Sequence, residues 1–185
     1  MFSSDIPWEK YGVIVELTRR IQDQSPQFGK TVMQKLVYLL TTIYGVPTGY
    51  EHTLYTYGPY SEELASDVAN VAAMEGIEIS HGVKNGFEIK LAKNHDWVSG
   101  KSTKFINENR TKIDSLIRDF GSFNARELEL RSTLIFLTKS EAFSREKLTK
   151  QLIELKPYFT EKEVYFAIDE LIDKGFIGKE PLCIL

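Results

Sequence analysis

The three histidines and the single cysteine are the residues best suited to bind a metal ion or to act in catalysis. His52, His81 and His95 are separated by 29 and 14 residues, and Cys183 is remote from all three. No zinc-site spacing groups these four residues. His95 precedes Asp96, but adjacent loop residues seldom face each other, and no nucleophile motif accompanies them. We therefore expect no metal, no cofactor and no catalytic residue.

The tripeptide Gly29-Lys30-Thr31 resembles the end of a phosphate-binding loop. That loop also requires a glycine five positions before Gly29, where this sequence has Gln24. The sequence therefore favours a simpler interpretation, a helix N-terminus with Thr31 as its cap and Lys30 in solvent.

Three tyrosines, a turn signal and a helix start occur together between Tyr55 and Leu64. Gly58-Pro59 predicts a turn, because proline fixes φ and glycine relaxes steric limits. Ser61 can cap the helix that follows, and Glu62 and Glu63 lie near its positive end.

This segment supplies the candidate partner-binding site. Tyrosine gives a large contact area at low entropic cost, and acidic side chains attract a basic partner. The candidates are Tyr57, Gly58, Pro59, Tyr60, Glu62 and Glu63, with Tyr60 expected to be the best exposed tyrosine. The alternative is that Tyr55 and Tyr57 share one strand face and pack on the core.

Residues 1–93 have the pattern of three helices and a β-hairpin. Apolar spacing predicts helices over 7–22 and 31–45, a short strand over 52–57, and a third helix over 61–75. Strands at 77–80 and 87–91 flank an Asn-Gly turn signal. We therefore predict a mainly helical α+β fold with a winged helix-turn-helix domain over 1–93.

Residues 94–185 form a second, helical unit in this prediction. A polar loop over 94–100 precedes a helix near 101–120. Asn124 with Glu127 and Thr160 with Glu163 resemble capping boxes, and Ser144 starts another helix that Pro157 ends. The unit is either a second winged-helix-like module or a plain helical bundle used for dimerisation.

Two motifs in the first half resemble those of the YwgA family of uncharacterised bacterial and archaeal proteins. They are Thr31-Val32-Met33-Gln34-Lys35-Leu36-Val37-Tyr38-Leu39 and Tyr57-Gly58-Pro59-Tyr60-Ser61-Glu62-Glu63-Leu64. The chain is also similar to the wider Panacea, or SocA-like, group, but has Met33 where leucine is usual and Tyr60 where valine is frequent.

The resemblance covers roughly residues 28–90. It implies a winged-helix-like fold without catalytic residues. For the Panacea branch it implies roles as antitoxins or proteolytic adaptors that bind other proteins. YwgA itself implies no settled function.

Charge opposes the usual use of a helix-turn-helix, which is DNA binding. Residues 61–75 contain four acidic side chains and no lysine or arginine, so this helix would repel phosphates. The alternative is a DNA-binding transcriptional regulator that uses the remaining basic residues. Its candidate DNA contacts are Lys84, Arg145, Lys147 and Lys150, although a solvated helix face also explains them.

Composition narrows the function classes further. Net charge is −3, and no apolar run approaches the length of a membrane span. The first residues lack the pattern of a signal peptide. We expect a cytoplasmic, non-enzymatic interaction module of the regulator or antitoxin-like type, whose partner is another protein and which could form a homodimer.

Overall fold

The computed structural model describes residues 6–24, 28–82, 86–139 and 144–178. Over these residues the protein is mainly helical with two small antiparallel β-hairpins, which confirms the predicted α+β class. In chain order, the elements are α1 (Trp8–Ile21), α2 (Lys30–Thr42), β1 (Thr53–Tyr55), β2 (Gly58–Tyr60), α3 (Glu62–Ala73), β3 (Ile77–Gly82), β4 (Gly86–Leu91), α4 (His95–Gly100), α5 (Thr103–Glu108), α6 (Arg110–Phe120), α7 (Ala125–Leu137), α8 (Arg145–Leu155) and α9 (Glu161–Asp173).

Helices α1 and α2 form the centre of the molecule. Both are buried along most of their length, so their apolar residues face neighbours on several sides. Helix α1 packs against α3, α4, α5 and β4, and α2 packs against α6, α7 and β2. The hydrophobic core therefore continues across position 93, from Tyr11 to Ile177.

Strands β3 and β4 pair in the register that the alternating pattern indicates, from Ile77 opposite Leu91 to Gly82 opposite Gly86. Ile89 is fully buried and its amide donates to the Phe28 carbonyl at 2.8 Å, which ties this hairpin to the chain before α2. The predicted turn and its Lys84 lie outside the described residues. The winged-helix arrangement itself remains a prediction.

Four predicted helix starts are confirmed. The side chains of Ser61 and Ser144 accept from backbone amides of the first turn, and Asn124 and Thr160 form complete capping boxes. The prediction for Thr31 was wrong. The N-cap of helix α2 lies two residues earlier, at Gly29, without a side-chain cap hydrogen bond.

The single helix predicted near 101–120 is broken into α5 and α6, and the preceding loop contains α4. Ser102, which precedes α5, has a non-helical backbone conformation and contacts Gly12 of α1. A Cβ on Gly12 would lie 1.8 Å from the Ser102 Oγ, so only glycine permits this contact. Asn109, at the second break, donates through its side chain to the Phe105 carbonyl at 2.9 Å. Tertiary packing thus overrides a continuous helical pattern.

Candidate functional site

The tyrosine segment folds as a hairpin of two three-residue strands. Thr53 pairs with Tyr60, Leu54 with Pro59, and Tyr55 with Gly58. The turn therefore falls at Thr56 and Tyr57, and the prediction that Gly58-Pro59 forms it was wrong: both residues lie in β2. Gly58 directly follows this turn. Its φ of +88° lies in the left-handed region that favours glycine, so the glycine is still required by the backbone here.

Helix α2 holds the outer side of β2. The Gln34 side-chain amide donates to the Ser61 carbonyl and accepts from the Ser61 amide, both at 2.9 Å. The Lys35 Nζ donates to the Pro59 carbonyl at 2.8 Å. Two consecutive side chains of α2 thus take the place of a third strand, because they satisfy backbone groups on the unpaired edge.

Lys35 is a buried cation, only 2% exposed. Burial lowers the pKa of its ammonium to about 8; Glu129 favours the charged form and Lys156 opposes it. Sequence analysis assigned no role to Lys35. Its position offered a signal, since it lies three residues after Val32 and four before Leu39, on the apolar face of the helix.

A second buried lysine secures the turn from the other half of the chain. Lys156 follows α8, is 2% exposed, and donates to the Thr56 carbonyl. Its Nζ also lies 2.7 Å from Glu129 Oε1 on α7, and the same oxygen accepts from the Tyr158 hydroxyl. We call Lys35, Glu129, Lys156 and the hydroxyl of Tyr158, whose ring is exposed, the buried ion cluster. Sequence analysis missed Glu129, Lys156 and Tyr158, because no local pattern relates residues this far apart.

The hairpin presents aromatic rings to solvent. The exposed fractions are 66% for Tyr55, 62% for Tyr57 and 50% for Tyr158. Tyr57 lies near Tyr158. Burial and the hydrogen bond to Glu129 raise the pKa of the Tyr158 hydroxyl, and the nearby Tyr57 raises it further. We call these three residues the tyrosine surface. Tyr60, expected to be the best exposed, is half-buried and stacks on Tyr55 with ring centroids 5.7 Å apart.

The alternative, in which Tyr55 and Tyr57 share one strand face and pack on the core, was wrong. Tyr55 lies on the solvent side of β1, and Tyr57 lies in the turn, so the two do not share a strand face. The other candidate residues lie close to the tyrosine surface. Gly58 and Pro59 are buried beneath the tyrosine surface, and Glu62 and Glu63 begin the adjacent helix α3.

Two recesses of opposite charge lie on either side of the Tyr55–Tyr60 pair. The first, which we call the acidic groove, contains Glu51, Thr53, Glu62 and Glu63 beside the two rings. Glu63 is paired with Lys10 at 2.5 Å. The second is a more enclosed cavity of about 300 Å³ between α2, β2 and α3.

The basic residues of the DNA-binding alternative lie on or near α8, apart from Lys84, which is outside the described residues. Arg145 forms an ion pair with Asp169 of α9. Lys150 lies 4.0 Å from Glu154 on its own helix, and Lys147 is exposed. Part of this positive charge is therefore balanced within the protein.

The histidines do not form a site in the described part of the chain. His52 packs edge-on against Tyr38, and burial lowers its pKa to about 4. His95 Nδ1 lies 3.0 Å from Asp96 Oδ1, so the expectation that these neighbours do not face each other was wrong; both also contact Arg19. Across the described residues, no three His, Cys, Asp or Glu side chains converge as metal ligands.

Comparison with protein-family models and with curated proteins gives no match for this chain. None of the described helices combines the length and the apolar character that crossing a membrane requires.

Proposed function

We propose that this chain is a non-enzymatic interaction module that binds another protein through the tyrosine surface. The observation that carries the proposal is that Tyr55, Tyr57 and Tyr158 stay 50–66% exposed although the backbone beneath them is buried and fixed. Large aromatic side chains on a rigid support are typical anchors of protein interfaces, because little entropy is lost when a partner covers them.

Charge favours a basic partner segment. Glu51, Glu62 and Glu63 border the tyrosine surface through the acidic groove. A lysine or arginine in the partner can pair with these carboxylates at the rim of an interface, where charge mainly increases association rate and specificity. The regulator or antitoxin-like role rests on the family resemblance described above.

Copurification from the native host tests the proposal. Tagged wild-type protein should retain one or more partners that the double variant Tyr55→Ala/Tyr57→Ala loses by at least about tenfold, as expected for central aromatic anchors. Phe166→Ala is the matched control, since Phe166 is 68% exposed on α9 and its removal deletes a similar apolar area. Equal retention by the tyrosine variant and the wild type would contradict the assignment.

A DNA-binding regulator is the second candidate, favoured by Arg145, Lys147 and Lys150 on one short helix. Fluorescence anisotropy with genomic DNA fragments at about 50 mM salt tests it, because phosphate contacts are strongest at low salt. The wild type should bind DNA and the double variant Lys147→Glu/Lys150→Glu should not, if this function is correct. Absence of DNA binding by the wild type would contradict it.

A further inference from the structure

The cavity between α2, β2 and α3, beside the tyrosine surface, has the volume of a small-molecule site. Its volume is about 300 Å³, at the lower end of the range for ligand pockets. The walls include the rings of Tyr57 and Tyr60 and the apolar side chains of Ala65 and Val68.

The charged residues that line this cavity are both lysines. Lys30 and Lys35 contribute to it from α2, and no aspartate or glutamate lines it in the part of the chain that the structure describes. Lys30 is exposed, and its Nζ lies 4.2 Å from the Phe87 ring centroid. The cavity is therefore positive, in contrast to the acidic groove on the other side of Tyr55 and Tyr60.

Lys35 has hydrogen-bonding capacity that the described residues do not use. An ammonium carries three N–H donors, and the Lys35 Nζ makes one hydrogen bond, to the Pro59 carbonyl. Glu129 pairs with Lys156 and Tyr158, and among the described residues no ion pair joins it to Lys35. A buried ammonium with spare donors is costly unless an acceptor approaches it.

We propose that this cavity binds a carboxylate carried on a short aromatic or branched apolar stem. The stem would contact Tyr57, Tyr60 and Val68, and the carboxylate would accept hydrogen bonds from Lys35, with Lys30 at the mouth. A charge-assisted bond to a buried ammonium is stronger than a neutral one. The group could belong to a free organic acid or to the C-terminus of a partner chain, since both present the same chemistry.

Two probes distinguish these sources. NMR titration of the full chain with 3-phenylpropionate and with the peptide Gly-Gly-Gly-Phe should shift resonances of Tyr57, Tyr60 and Val68. Comparable affinities would identify a free acid as the source, and at least about tenfold tighter peptide binding would identify a chain terminus. The amides of both probes should bind at least about tenfold more weakly, because they lack the charge.

Variants separate the cavity from non-specific binding. Ala65→Leu fills the cavity and should abolish binding, Lys35→Met should weaken it at least about tenfold, and Lys30→Gln only about twofold, as expected for an exposed charge. Glu108→Gln, an exposed position on α5 outside both recesses, is the control and should leave affinity unchanged. If Lys35→Met fails to fold, Ala65→Leu still tests whether the acid binds in the cavity, and the amide probes still test whether binding requires the negative charge. Absence of binding at about 10 mM, or binding unaffected by Ala65→Leu, would overturn the proposal.

This proposal stands apart from the proposed function. The acid probes need no protein partner, so their binding does not depend on the copurification result. If copurification finds no partner that depends on the tyrosines while the acid probes still bind, only the protein-interaction role is contradicted.

Discussion

At the residue scale, the feature that most distinguishes this chain is a lysine placed in the core. Lys35 is buried between α2 and β2, where its ammonium binds a backbone carbonyl and lies near both Glu129 and Lys156. Sequence analysis identified the tyrosines and the acidic helix start, because these signals are local. It missed the buried ion cluster, because three elements far apart in the chain supply it.

Lys35 should make the stability of the protein depend on pH in the alkaline range. Its pKa is about 8 in the folded protein and 10.5 as a free side chain, so the unfolded chain binds more protons between these values. Stability should therefore rise as pH increases from 8 towards 10.5, by up to roughly 3 kcal/mol from this group alone. Below pH 8 both states are protonated and the contribution is constant.

Urea unfolding at pH 7.5, 8.5 and 9.5 measures this effect. Lys35→Met should lack the rise, so the stability difference between wild type and variant should change with pH. Tyr158 and His52, whose pKa values are also shifted by burial, are present in both proteins, and subtraction removes most of their contribution. Parallel pH profiles would show that Lys35 keeps an ordinary pKa.

At the element scale, local signals predicted which elements form, and tertiary contacts set where they begin and end. Capping residues located the starts of α3, α7, α8 and α9 because a cap is complete within one turn. The turn predicted at Gly58-Pro59 lies two positions earlier, at Thr56-Tyr57, since Pro59 fits in β2 where its carbonyl meets Lys35. No local pattern contains that contact.

Gly58 should be essential for the hairpin. Its φ of +88° disfavours any other residue, and an added Cβ would lie 2.9 Å from Thr133 Oγ1 on α7. Gly58→Ala should destabilise the protein by about 2–4 kcal/mol, the sum of a backbone cost and a packing cost.

Gly45→Ala provides the matched control. Gly45 also has a positive φ, of +63°, but no atom lies within 4 Å of its added Cβ. Its substitution should therefore cost only the backbone term, about 1 kcal/mol. Thermal or urea unfolding of both variants measures the two losses of unfolding free energy. Equal losses would mean that the contact between β2 and α7 is not tight.

At the scale of the whole molecule, the two halves meet beneath the tyrosine surface. Lys35 of α2 and the carbonyls of Thr56 and Pro59 come from the first half, and Glu129 and Lys156 from the second. Sequence periodicity predicted two units but gave no information on how they pack, because that depends on long-range pairing. The site candidate is therefore held in place by both halves.

Glu129 should be the critical member of this contact. Glu129→Gln leaves Lys156 buried without its carboxylate partner and removes the nearby negative charge that favours the charged form of Lys35, which should cost about 3–5 kcal/mol in unfolding free energy. The control is Glu108→Gln, because Glu108 forms an exposed pair with Lys104 at 3.9 Å and should contribute less than about 0.5 kcal/mol. Similar small losses in both variants would mean that the buried ion cluster does not join the halves.

Site-specific photo-crosslinking in the native host tests the central claim most directly. With p-benzoylphenylalanine in place of Tyr57, irradiation should give a discrete adduct with a partner protein, and the same substitution at Phe166 should not. The adduct should weaken in a Glu62→Lys/Glu63→Lys background, since a basic segment would then be repelled. No adduct at position 57, or an identical adduct at positions 57 and 166, would contradict the account.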